Sequence, residues 1–300
     1  MISILIPVFN RPVDDLVKAL RRQLAAVKER VELVVMDDCS TDTAAKNANR
    51  MAITGFADTQ YIELSSNAGR NLIRHKLAAA AKYSTLIFID ADSSFPDEQW
   101  LQRYLDAYTG KTVVMGGRSY RKVPAGSASL HWKYGSVREQ QPAAMRNQYP
   151  WRSFLACNFM VSKEQLSQLI VDPHLQGYCH EDTFMGLQFQ QLAIPVIHID
   201  NPVYHDGIDE DSIFIAKQEE ALENLIYLFR SYDRQYHFST EVKLLRVYKK
   251  ITTAAAGNYM LDKLTNKKGL FRRKALQSHS LFWLDCWKLV VFHALSERHV

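Results

Sequence analysis

Thr85-Leu86-Ile87-Phe88-Ile89-Asp90-Ala91-Asp92 reads as a buried strand that ends abruptly in acid. Its first five residues lack polar alternation, the pattern of a strand covered on both faces, as in a parallel sheet. The same pattern recurs on either side. Ile2-Ser3-Ile4-Leu5-Ile6-Pro7-Val8 precedes a helical pattern over 14–29, and Glu32-Leu33-Val34-Val35-Met36 precedes a second helix over 43–51. A short strand over 60–64 leads to a helix over 69–82. A helix over 98–108 and a strand over 112–116 follow the acidic end. Strands spaced by helices predict a Rossmann-like α/β fold, a mostly parallel sheet flanked by helices. Ligands of such sheets bind beyond the carboxyl ends of the strands. Those ends carry Pro7 to Arg11, Asp37-Asp38, Ser65 to Gly69, and Asp90 and Asp92.

Beyond residue 116 the periodicity weakens. Basic and aromatic residues crowd 117–152, among them Arg118, Arg121, His131, Trp132, Arg146, Trp151 and Arg152. A helix over 127–140, strands over 154–161 and 195–199, and a long helix over 211–232 are expected. Composition fits a folded protein: 47% hydrophobic and 23% charged residues exclude a disordered chain or a disulfide-stapled miniprotein. Cys39, Cys157, Cys179 and Cys286 form no CxxC pair, so a reducing, cytoplasmic setting is expected. No basic, apolar and small-residue succession marks a signal peptide, and no apolar run reaches transmembrane length.

The net charge of +5 is unevenly spread. Residues 1–242 hold 25 basic and 29 acidic side chains, net −4; residues 243–300 hold 12 and 3, net +9. The expected division is therefore a body over 1–232 and a basic, helical extension over 233–300. Within the extension, Lys263, Lys267, Lys268, Arg272, Arg273 and Lys274 precede an apolar run over 281–295 containing Trp283 and Trp287. That run spans ~22 Å as a helix, short of the ~30 Å hydrocarbon core. Two readings stand: an anchor through 263–295 on an anionic membrane surface, at its inner face, or a helix packed on the body or in a homodimer.

Two carboxylates one residue apart at a strand end suit one hard cation, Mg2+ or Mn2+, shared with substrate phosphates. Helix capping by Asp92 or Asp97 is the plainer alternative. Asp37-Asp38-Cys39-Ser40-Thr41-Asp42 offers acids to a base or ribose, although an Asx-turn and N-cap account for Ser40 and Asp42. Asn67-Ala68-Gly69-Arg70-Asn71, with Arg74 a turn later, brings arginine toward a nucleotide or simply forms a solvated face. Tyr178-Cys179-His180-Glu181-Asp182 opens an apolar helix, where an acid serves as a general base or meets the helix dipole. His205 follows a strand, as a further metal ligand or as a structural histidine.

Taken in order, Ile4 to Arg11, Val34 to Asp42, Asn67 to Arg74, Asp90-Ala91-Asp92 and His180-Glu181-Asp182 resemble a family 2 glycosyltransferase over roughly residues 1–230. The resemblance implies an inverting, metal-dependent enzyme of GT-A fold that moves a hexosyl or N-acetylhexosaminyl group from a nucleotide sugar, typically a UDP-sugar, to a carbohydrate or lipid-linked glycan. It further implies that Pro7, Phe9, Arg11, Asp38, Asn67, Arg70, Arg74 and Asp90 bind the nucleotide. Asp92 and His205 would hold Mn2+ or Mg2+, and Asp182 would be the catalytic base beside Glu181. Asn158 and Trp151 would floor the donor and acceptor sites. His75, where many relatives have asparagine, is a departure from the pattern. A nucleotidyltransferase and a non-catalytic sugar-binding or assembly protein are the alternatives. A nucleic-acid binder fits poorly, because the basic tail lacks an interleaved base-reading pattern.

Overall fold

The computed structural model of the protein describes residues 1–124, 126–178 and 180–298. Cys179 lies outside the described residues, both as a cysteine and as a member of the Tyr178 to Asp182 motif. Cys39, Cys157 and Cys286 are free thiols.

The first half alternates as its apolar runs predict. β1 (Ile2–Val8), α1 (Asp14–Leu24), β2 (Val31–Asp37), α2 (Thr43–Ile53), β3 (Thr59–Glu63), α3 (Gly69–Ala80) and β4 (Thr85–Ile89) follow one another. β1 runs parallel to both β2 and β4, with Ile4 opposite Leu33 and Ile87. Its side chains divide between two cores: Ile2, Ile4, Ile6 and Val8 join one, Leu5 the other. Burial on both faces explains why the strand reads as an unbroken apolar run. Pro7, with no N–H to give, lies beyond the last β1–β4 pair, Leu5 with Phe88. At α2, Asp42 accepts from the backbone N–H of Ala44 and Ala45, each at 3.0 Å, so capping does account for that residue.

β5 (Ser93–Ser94), α4 (Trp100–Ala107), β6 (Val113–Met115) and β7 (Arg118–Ser119) come next. After them lie α5 (Leu130–Arg138), α6 (Ala143–Arg146), β8 (Asn158–Ser162), α7 (Lys163–Ser167), α8 (Glu181–Gln191), β9 (Val196–His198) and β10 (Val203–His205). The large sheet has the order β3-β2-β1-β4-β8-β6-β9, and a small sheet has the order β5-β10-β7. The aromatic start of the expected 154–161 strand packs rather than pairs. Phe154 stands edge-on to Phe159 and Phe189, at 5.1 and 5.4 Å between centroids.

The remaining chain is helical: α9 (Asp211–Tyr236), α10 (Phe238–Glu241), α11 (Lys243–Thr252), α12 (Gly257–Thr265), α13 (Lys268–Ser278) and α14 (Leu281–Arg298). The expected boundary at 232 falls inside α9. Instead, the chain forms one compact unit from Met1–Arg121, Glu139–Gln176 and Glu181–Gly207, and another from Lys122–Arg138, Gly177–His180 and the stretch from Ile208 onward. Specific bonds recruit α5 into the helical unit. The Leu130 N–H donates to Asp211 (2.7 Å), and Arg138 donates twice to Asp285 (2.8 and 2.7 Å).

The apolar run over 281–295 is largely the core of this second unit. Leu284, Trp287, Val290, Val291 and Phe292 are buried as α14 packs against α9, α12 and α13. Its polar residues are also engaged: Lys288 donates to Gln218 at 2.8 Å, and His293 Nε2 lies 2.9 Å from Asp262. This packing uses much of the apolar surface of α14 within the helical unit, while Phe282 stays 66% exposed. Among the described residues, no helix is long and apolar enough to cross a membrane.

Candidate active site

Strand ends and helix starts of the first unit bring the acids together. β10 carries His205 to Asp92 by pairing antiparallel to β5, with His205 opposite Ser93. His205 Nδ1 consequently lies 3.3 Å from Asp92 Oδ1. That Asp92 oxygen is buried and accepts no aligned hydrogen bond. The backbone closes over the same carboxylate, the Asp206 N–H donating to the Asp92 carbonyl at 2.8 Å. Position 207 must be glycine for this approach, because a Cβ there would collide with Asp92 Oδ2. Burial opposes ionisation of Asp92, but His205, Arg118 and Arg70 outweigh it and hold the carboxyl well below the ordinary carboxylate range. A fixed, anionic oxygen beside an imidazole fits one divalent cation. No third His, Cys, Asp or Glu completes such a site among the described residues, which leaves positions for substrate oxygens.

A second group surrounds α3 and the start of α8. Glu181 is buried and accepts from Arg70 Nε at 3.0 Å, with Arg74 Nη1 3.8 Å away. Arg74, also buried, donates to Asp90 Oδ1 (2.9 Å), and Arg118 donates to Asp90 Oδ2 (3.4 Å). Arg118 continues to Glu139 (3.2 Å), which also accepts from the Tyr120 hydroxyl. Every carboxylate of this chain thus has an arginine. Asp182 differs: its Oδ1 is buried and has no hydrogen-bond partner. Burial and the adjacent Glu181 push its carboxyl up to about 7, against the pull of Arg74 and Arg70. A carboxyl poised near neutrality can both take and return a proton.

Residues 3–169 match the family model described as glycosyl transferase family 2. The chain belongs to glycosyltransferase family 2. Compared by sequence with curated proteins, it matches none. Among solved structures, the enzyme is similar to the mannosyltransferase PcManGT from Pyrobaculum calidifontis in complex with GDP-Man and Mn2+. The two are 15% identical with a TM-score of 0.61, over 99% of this chain and 86% of that one. It is also similar to glucosyl-3-phosphoglycerate synthase from Mycobacterium tuberculosis in complex with Mg2+ and UDP, at 16% identity and a TM-score of 0.51, over 76% and 78% of the two chains. These likenesses identify the fold as GT-A, and the family sets aside the nucleotidyltransferase and non-catalytic readings.

The other residues expected in the glycosyltransferase's site divide into exposed and structural sets. Phe9 is 52% exposed just past β1. Arg11, Asp92, Ser94 and Asp206 line a cleft of about 310 Å³. Pro7 is half-buried within β1. Asp38 is buried and accepts from the Ala68 and Gly69 N–H groups at 2.5 and 2.9 Å, fixing the start of α3. Asn67 donates to the Asp38 carbonyl at 3.0 Å. Burial and then Arg74 push His75 down to about 4, so it is neutral at pH 7.

One expectation is corrected. Asn158 is completely buried; it accepts from Trp100 and Tyr104 and donates to the Gly117 and Asn201 carbonyls, so its amide has nothing left for a sugar. Trp151 packs against the central core, its indole N–H donating to the Ile194 carbonyl at 3.3 Å. Its backbone also lies against Gly186 of helix α8.

Sequence reasoning missed Glu139 and Asn10 as site-building residues. Glu139 is the one acidic residue in the basic stretch 117–152, a contrast that marks a buried ion-pair partner. Asn10, at a φ of 50°, accepts from the backbone N–H of Thr41 and Asp42, tying the β1 and β2 loops together.

Proposed function

We propose that this enzyme transfers a sugar with inversion from a nucleotide sugar to a hydroxyl of a glycan or lipid-linked glycan, with Asp182 as general base. The observation that carries this reading is the unpartnered, buried Asp182 Oδ1, on a carboxyl pushed to about 7. The acceptor oxygen forms its bond to the anomeric carbon while the bond to the diphosphate oxygen breaks. The electron pair of that broken bond leaves on the nucleoside diphosphate, and the acceptor proton passes to Asp182. Attack from the face opposite the leaving group inverts the configuration. Glu181 takes no proton in this scheme; its bonds to Arg70 and Arg74 fix the start of α8 and so aim its neighbour.

Asp92 and His205 are the residues that would hold the cation, which when bound supplies Lewis-acid stabilisation of the departing diphosphate. An imidazole beside the carboxylate favours Mn2+ over the more oxygen-demanding Mg2+. Phe9, exposed at the end of β1, offers a stacking face to the base. The likened structures support a nucleotide and a divalent cation but divide between GDP-Man and UDP, so a UDP-sugar rests on the motif resemblance. The basic outer surface of α11–α13 supports peripheral attachment to an anionic membrane, where a lipid-linked acceptor would lie.

A panel of nucleotide sugars with Mn2+ and mixed acceptors, scored for nucleoside diphosphate release and product anomer, tests the reading. One donor should be consumed with inversion and lost on Asp182→Asn. Retained configuration, or full activity in Asp182→Asn, refutes it.

A further inference from the structure

The helical unit contains a groove of about 370 Å³, within the range of small-molecule sites. Its chemistry is two-sided. The buried Trp287 and Val291, with half-buried Ala294, form an apolar floor, while Lys268 and Arg272 form an exposed rim. Glu219 also lines it, so two bases against one acid leave the rim net positive. Among the described residues, neither rim base lies within ion-pair distance of an acid. On the neighbouring helices, Asp285 is engaged by Arg138 and Asp262 by His293. Lys267 and Arg273 flank the rim as further exposed bases, and Leu270 between them is 36% exposed.

A positive rim over an apolar floor matches an amphiphile with an anionic head and a hydrocarbon tail. We propose that this groove binds one anionic phospholipid, its phosphate between Lys268 and Arg272 and an acyl chain over Trp287, Val291 and Ala294. The inference rests on the membrane reading of the basic surface and deepens it. The surface bases supply long-range attraction, and the groove supplies a site for an individual lipid. Burial of α14 is what makes the site possible, because its packed apolar side provides a preformed floor.

The test uses the full chain and a short-chain phosphatidylglycerol kept below its micelle concentration, with binding followed by calorimetry. Phosphatidylcholine of equal chain length and inorganic phosphate serve as comparisons. Phosphatidylglycerol should bind saturably, and both comparisons about tenfold or more weakly. Lys268→Glu/Arg272→Glu should weaken phosphatidylglycerol by about tenfold or more. Ala294→Trp, which fills the floor, should abolish binding of the monomeric lipid yet still float with phosphatidylglycerol-containing vesicles. Equal affinity for inorganic phosphate would overturn the proposal in favour of a free-anion site. Wild-type lipid affinity in Ala294→Trp would also overturn it, as would variants that alter only self-association by light scattering, the mark of an interface between copies. If the wild type binds the monomeric lipid but does not float with anionic vesicles, the groove stands and the surface reading falls.

Discussion

Replacing Asp182 by asparagine should inactivate the enzyme and at the same time stabilise its fold. In the native protein the carboxyl sits near 7, against 3.8 for an ordinary aspartate, because burial and Glu181 disfavour its charge. A folded-state pKa above the unfolded one means that the native state binds the proton more tightly. Stability contributed by this group is therefore lost as pH rises from about 4 to about 7. At about 1.4 kcal/mol per pH unit, the full penalty has a ceiling of about 4 kcal/mol. The side chain keeps some exposure, and solvent there reduces the penalty to about 1–3 kcal/mol. Asparagine has nearly the same shape and no charge, so it removes that penalty.

Thermal unfolding of the two proteins at pH 4.5 and pH 8 measures this directly. At about 2–4 °C per kcal/mol for a chain of this size, the variant should melt several degrees higher at pH 8. Little difference should remain at pH 4.5, where the native carboxyl is already protonated. Nucleoside diphosphate release should be lost at both values. In the wild type, kcat/KM should fall about tenfold per pH unit below about 7 as the base becomes protonated. A variant less stable than wild type at pH 8, or equally stabilised at both pH values, would refute the burial argument and with it the assignment of the base.

The neighbouring acid should behave in the opposite sense. Glu181→Gln removes the carboxylate that Arg70 holds and leaves the buried Arg74 with Asp90 alone, and should destabilise the fold by about 1–2 kcal/mol in urea titration. Gly207→Ala should push the Asp92 carboxylate aside, raising the Mn2+ concentration for half-maximal activity by about 10–100-fold with little change in melting temperature. Phe9→Ala should change stability by no more than about 0.5 kcal/mol, because the ring is exposed. Nucleotide affinity, measured by calorimetry, should nevertheless fall about tenfold for loss of one stacking face.

The parallel half of the sheet was legible because its strands are buried on both faces. Strands such as Ile2–Val8 and Thr85–Ile89 then announce themselves without reference to their partners. β5, β7 and β10 announce nothing: Ser93–Ser94 and Arg118–Ser119 are strands only because Val203–His205 lies between them. The meeting of His205 with Asp92 depends on that register, so sequence could nominate both residues without joining them. Asn158 was misread for a related reason. Its place in the floor came from the motif resemblance alone, and only Trp100, Tyr104, Gly117 and Asn201 closing around it reveal a buried bolt. The boundary at 232 was drawn from composition, whereas the actual division follows bonds such as Arg138 to Asp285, which link residues far apart in sequence.

Charge within the site gives the reason for its arrangement. Among the described residues, Asp90, Asp92, Glu139, Glu181 and Asp182 are balanced by three guanidinium groups, those of Arg70, Arg74 and Arg118. Those arginines are spent chiefly on Asp90, Glu139 and Glu181, and the bonds fix the ends of β4, α3 and α8 in place. The two remaining carboxylates respond differently to the same deficit. Asp92 keeps its charge because His205, Arg118 and Arg70 surround it, and it is the oxygen a cation would meet. Asp182 has a like charge beside it and a buried Oδ1 that meets no donor, so its proton is held until near neutrality. A diphosphate entering this site adds negative charge that three committed arginines cannot offset, which is why acceptance of the donor and binding of a divalent cation belong to one electrostatic requirement.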